Sequence, residues 1–189
     1  MSTIHALAAA ISVIGFPVFL LSKRKSQQSQ NWLDQLRLER NPYQSLRFLA
    51  ITTPPYKYDG VQVASVYGVV MDYPVKNGTA TLAAYVSGEA SLYVSNGTGI
   101  INGEKHDSVR KAAEELVALA SARIDSTLPA TRFPMATTGY ARFYVLTSEG
   151  VRTTWICLSD LKSNGDGAYG LFAEANKVIR ALQLTTVMN

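Results

Sequence analysis

The chain is poor in the residues that build covalent frameworks and metal sites. Of its 189 residues one is cysteine, Cys157, and two are histidine, His5 and His106. A single thiol excludes an intrachain disulfide framework and a cysteine-rich zinc site. A single histidine after residue 5 excludes a histidine-built metal centre, so no metal and no cofactor is expected. Charge is also scarce: Asp, Glu, Lys and Arg make up 17% of the chain, where about a quarter is usual. That shortage points to a part of the chain that lies out of water. Apolar residues, at 47%, are ample for a packed core, which excludes wholesale disorder.

The formal net charge is +4, and nucleic-acid binding is the first function class to test against it. A nucleic-acid interface needs a basic face that neutralises several phosphates. Here Lys23, Arg24 and Lys25 form one run, and without it 15 basic residues face 14 acidic ones, a balance of +1. A body so close to neutral offers no such face, and no nucleic-acid partner is expected.

The residues before that run account for it. Residues 4–21, IHALAAAISVIGFPVFLL, contain no Asp, Glu, Lys or Arg. As a helix they would span about 27 Å, against a bilayer hydrocarbon core of about 30 Å. An interfacial helix would carry a charged face, and a signal peptide would carry a positive leading region and a small-residue cleavage site. Neither is found. Lys23, Arg24 and Lys25 as the C-terminal flank keep that side in the cytoplasm by the positive-inside rule. The expectation is an uncleaved single-pass membrane anchor with a cytoplasmic body.

A polar spacer, SQQSQ, leads into NWLDQLRLER, residues 31–40, where Trp32, Leu33, Leu36 and Leu38 have helical spacing. Residues 44–51 read as another short helix or strand. Pro54-Pro55 sets an extended connector and falls short of a PPxY motif, because Lys57 stands where tyrosine is required. The expected organisation is an anchor with its basic flank over residues 1–25, a helical and proline-containing connector over 26–60, and a globular domain over 61–189.

In that domain, Val61, Val63, Tyr67, Val69, Met71, Tyr73 and Val75 alternate as a strand does. Asn77-Gly78 is a hairpin turn signal, and 79–86 and 90–94 follow as two more strands. Asp107 is placed to cap a helix over 108–123, with Val109, Ala112, Ala113, Leu116 and Ala120 as its apolar stripe. Residues 142–147 and 151–159 read as a fourth and fifth strand. A closing helix over 168–184 turns Leu171, Phe172, Ala175, Val178, Ile179 and Leu182 inward. The pattern predicts an α+β fold. Its five-stranded antiparallel sheet consists of a three-strand meander, a helix, a hairpin and a C-terminal helix. The helices lie on one face, the other face is left open to a partner, and a transmembrane helix precedes the whole.

YVSGEASLYVSNGTGIINGEKHDSVRKAAEELVALA, residues 85–120, with ARFYVLTSEGVRTTWICL, residues 141–158, resembles small bacterial α+β proteins. In outline it is similar to roadblock, longin and profilin-like modules. That resemblance implies a five-stranded antiparallel sheet used for dimerisation or scaffolding. It covers residues 60–184 and is architectural. A roadblock domain places its first crossing helix after two strands and this chain after three, so no functional residue is carried over.

Chemistry is sparse. The glycine-rich stretch 95–103 joins a strand to a helix, and Gly97, Gly99 and Gly103 with Lys105 and Arg110 could cradle an anion at a helix N-terminus. The spacing is neither a P-loop nor a dinucleotide fingerprint, and Asp107 would repel phosphate. His106, Asp107 and Ser108 are triad residue types, but they are adjacent where a triad needs convergence from separate segments. Cys157 reads as a half-buried structural thiol. Asn77-Gly78-Thr79 and Asn96-Gly97-Thr98 match a glycosylation sequon and read as turns. Two functions follow as expectations. One is a membrane-anchored, non-enzymatic interaction or scaffold module facing the cytoplasm, with a protein partner or a second copy. The other is a small ligand- or nucleotide-binding domain or enzyme using residues 95–106.

Overall fold

A computed structural model describes residues 42–55, 66–101, 103–162 and 168–187. The expected anchor at 4–21, its flank Lys23, Arg24 and Lys25, and the 31–40 segment lie outside the described residues. Among those described, no helix is long and apolar enough to cross a membrane.

The fold is α+β, with an antiparallel sheet and, among the described residues, three α-helices. In chain order these are α1 (Tyr43–Thr52), β1 (Val66–Val75), β2 (Gly78–Tyr85), β3 (Ala90–Val94), β4 (Gly99–Ile100), α2 (Asp107–Ala122), β5 (Leu128–Pro129), β6 (Tyr140–Thr147), β7 (Gly150–Cys157) and α3 (Ala168–Val187). The sheet has seven strands, not five, in the order β4-β3-β2-β1-β6-β7-β5. All five expected strands are present, the first from Val66 on, while Val61 and Val63 lie outside the described residues. The two additional ones hold two residues each, too few for an alternating pattern to register, and they occupy the two edges.

β1 is the central strand, and its first seven residues are all buried. Its apolar residues serve both faces, because Val69 and Met71 point to one side and Val70 to the other. The sequence alternation puts Tyr67 on the same face as Val69, and the structure corrects this. Val66 pairs with Thr147 and Gly68 with Leu146, so Tyr67 is an extra residue in a bulge that turns its ring to the opposite face. Gly68 makes the bulge possible. A Cβ there would lie 2.7 Å from the Tyr85 ring.

One face of the sheet carries Val69, Met71, Leu82, Leu92, Phe143 and Val145 under α2 and α3. α2 contributes Val109, Ala112, Ala113, Leu116 and Ala120 as expected, together with Val117. Asp107 does not cap α2 with its side chain. It is the first helical residue and pairs with Arg110 one turn on.

The second face is not open, and the helices do not share one side. α1 lies on it, burying Tyr43, Arg47, Ala50 and Ile51 at the i, i+4, i+7 and i+8 positions of a single helical stripe. Ala50 and Ile51 pack with Tyr67, Val70, Ala83, Tyr85, Tyr144 and Leu146 in a second core. Residues 43–52 therefore belong to the packed body. The sequence places them in a connector because a ten-residue helix with a buried arginine has a weak apolar pattern.

Candidate functional site

The most concentrated chemistry lies between α1 and the sheet. Asp72 is an acid in an otherwise apolar strand and is fully buried. Arg47 reaches it from α1, with Nε 2.9 Å and Nη2 2.6 Å from Oδ2, and Nε 3.1 Å from Oδ1. Thr81 on β2 donates to Oδ1 at 2.7 Å, and the Tyr43 hydroxyl lies 2.8 Å from Thr81 Oγ1. The same Arg47 Nη2 donates to the Phe133 and Pro134 carbonyls at 3.0 and 3.2 Å, which pins the 130–136 segment over the face. Arg47 also stacks 5.6 Å from the centre of the Tyr144 ring, and Phe133 meets that ring edge-on. Two tyrosine hydroxyls hold the C-terminal end of α1: Tyr85 donates to the Ala50 carbonyl at 3.0 Å and Tyr67 to that of Thr53 at 2.7 Å. These satisfy carbonyls that a helix end leaves without an intrahelical partner.

The electrostatics follow from burial. Burial by itself would pull the Arg47 guanidinium down, but its hydrogen bonds and charge contact with Asp72 outweigh this and hold it above its ordinary value. Burial pushes the Tyr43, Tyr67, Tyr85 and Tyr144 phenols up, Tyr85 most strongly. Arg47 opposes that rise at Tyr43 and Tyr144. Each of these shifts favours the form held at neutral pH, the charged guanidinium and the protonated phenols.

The cluster belongs to a longer row. Cross-strand pairing aligns Tyr93, Thr81, Asp72, Arg142 and Trp155 on β3, β2, β1, β6 and β7 in one line across this face. The inner members are covered by α1. The outer end is not: Trp155 is 49% exposed, with the Arg142 guanidinium 5.7 Å above its ring centre.

The structure divides the glycine-rich residues between two places. Ser95–Thr98 is the tight turn of the β3–β4 hairpin, with Gly97 at φ +92° and Asn96 Oδ1 accepting from the Thr98 amide and hydroxyl. Gly97 N–H bonds Val94 O within the hairpin, and Ser95 N–H bonds Thr79 O on β2. Gly97 and Gly99 line a groove of about 190 Å³ with Pro42, Tyr43, Leu46, Tyr93 and Ile101. Gly103 instead packs into the core, where a Cβ would meet Leu182 and Val109. Arg110 is engaged elsewhere, its stem on Gly88 and its guanidinium on Asp107, and Lys105 is exposed outside the groove lining. The five residues are not gathered into one cradle.

Cys157 is half-buried, 3.0 Å from Ser159 Oγ. Among the described residues no three His, Cys, Asp or Glu converge as metal ligands. Sequence reasoning missed Arg47, Tyr43, Thr81 and Tyr144. The available signal was one arginine in SLRFLA and one aspartate in VVMDYPV, two lone charges each inside an apolar stretch. No protein-family model matches the chain, and neither a curated protein nor a solved structure matches it.

Proposed function

We propose that the chain is a membrane-tethered interaction module without catalytic activity, its body on the cytoplasmic side. The observation that carries the reading is the fate of its buried charge. Asp72 and Arg47 satisfy one another and their neighbours beneath α1, so the buried ion pair of the described residues clamps α1 to the sheet. The tether is supported by the uncharged run 4–21 and the Lys23, Arg24, Lys25 flank. Partners of such a body are proteins, or a second copy, that meet its surface.

Two measurements test this. Full-length protein is expected to sediment with membranes and to need detergent for release, while a chain lacking residues 1–25 is expected to remain soluble and folded. A thermal-shift panel of nucleotides, phosphates and small carboxylates is expected to leave the melting temperature unchanged. A ligand at a hundredfold excess over Kd would stabilise the fold by about 2.7 kcal/mol. A shift abolished by Lys105→Ala or Arg110→Ala would replace the module reading with the ligand-binding one.

A further inference from the structure

We infer that the β7 edge, with Arg142 and Trp155, is a docking site for an extended acidic peptide of a partner protein, which adds as a further strand beside β7. The inference rests on the interaction-module reading and specifies where and what the module binds.

The main chain supplies the first argument. Leu158 N–H bonds Gly139 O on the β6 side, and Ala130 N–H bonds Val151 O on the opposite side. Main-chain direction alternates along a strand, so the odd-numbered residues of β7 direct their N–H and C=O groups away from β6. β5 and the residue after it meet these outward groups only at Val151 and Thr153, because β5 is two residues long. Beyond Thr153 the outward groups of Trp155 have no ladder partner among the described residues. Such an edge is a template for another strand.

The side chains supply the second. Arg142 is aligned with Asp72 in the register, yet both oxygens of that carboxylate are engaged by Arg47 and Thr81. Among the described residues Arg142 makes no ion pair, and its Nε is buried with no hydrogen-bond partner. Among the described residues the one carboxylate of this row is thus taken by Arg47, and Arg142 is left without an acidic partner. The guanidinium of Arg142 lies over the Trp155 ring, toward the free edge. An added strand would run about 4.8 Å beyond β7. Its Asp or Glu in the Trp155 row would reach that guanidinium, and an apolar neighbour would cover the exposed ring. A second copy does not fit this chemistry. Its own β7, Gly150–Cys157, contains no acid to set against Arg142.

The test is selection of a phage-displayed random 12-residue peptide library on the full-length chain in detergent micelles. Selected peptides are expected to be enriched in Asp or Glu alternating with apolar residues. Their affinity should fall at least tenfold on Arg142→Gln or Trp155→Ala and be largely kept by Arg142→Lys. Amide exchange adds a readout that a merely structural role would not move: the Trp155 N–H should become protected on peptide binding while the melting temperatures of the variants stay within a few degrees of the parent. The inference is overturned if no peptide is selected, if selected peptides lack acids, if Arg142→Gln binds them equally, or if the body dimerises through β7 in light scattering. The selection outcomes leave the sedimentation and thermal-shift criteria for the module reading untouched, so the two can fail separately.

Discussion

Asp72 and Arg47 show what one buried charge pair does for a domain of this size. Removing one partner from such a pair strands the other in the interior, at a cost of about 3–5 kcal/mol. Asp72→Ala is therefore expected to lower the urea-unfolding free energy by about that amount. The double variant Asp72→Ala/Arg47→Met should cost clearly less than the sum of the two single changes, because it removes both charges together. Additive costs, or a loss below about 1 kcal/mol for Asp72→Ala, would mean that water reaches the pair. Tyr85 makes a second prediction. Its phenol is buried and its pKa is raised above the ordinary 10.0, so the folded state holds the proton where the unfolded chain releases it. The Tyr85 contribution is fully present below about pH 10 and is lost as pH rises from there through the raised folded value. Tyr85→Phe should cost about 1 kcal/mol at pH 7 through the lost bond to the Ala50 carbonyl. It should also flatten the fall in stability between pH 10 and 12, which denaturant titrations at each pH would measure.

At the scale of elements, the long periodic segments were legible and the short or two-sided ones were not. α2, α3 and five strands follow from apolar spacing, and the β1–β2 hairpin turn at Asn77-Gly78 from its residues. β4 and β5 were hidden because two residues carry no period. The Tyr67 bulge was hidden because an inserted residue breaks alternation without changing composition. α1 was the costliest miss. Its buried stripe includes an arginine and a tyrosine, so it reads as half polar until Asp72 and Thr81 are placed opposite. The candidate site suffered the same way, since Arg47 and Asp72 lie 25 residues apart and gain meaning only across the helix–sheet contact. The physical consequence is that α1 is indispensable where a connector would be dispensable. A chain beginning after residue 55 is expected to expose Tyr67, Val70, Tyr144 and Leu146 and to leave Asp72 without its guanidinium. It should bind a hydrophobic dye and lose its cooperative thermal transition. A chain beginning at residue 26 should keep both its circular dichroism spectrum and its transition. Equal melting of the two would show that α1 contributes nothing to the fold.

For the whole molecule, the distribution of charge along the chain carries more information than its total. Three of the four net positive charges sit at Lys23, Arg24 and Lys25, beside 18 residues without a charge, and the remainder is nearly balanced. If that arrangement sets orientation, reversing the charge bias should change which side of the membrane the body occupies. The single cysteine makes the question measurable without engineering a reporter, because Cys157 lies in the body and its side chain is half-buried. In intact cells expressing the full chain, a membrane-impermeant maleimide is expected to leave Cys157 unlabelled, with labelling appearing after detergent lysis. Replacing Lys23, Arg24 and Lys25 together with glutamine should raise the fraction labelled from outside several-fold, since the flank then gives no preference for the cytoplasm. Labelling of the parent chain in intact cells would reverse the orientation. Labelling that is absent both before and after lysis would show that the thiol is shielded, and Ser159→Cys, two residues further on and exposed, would then serve as the probe.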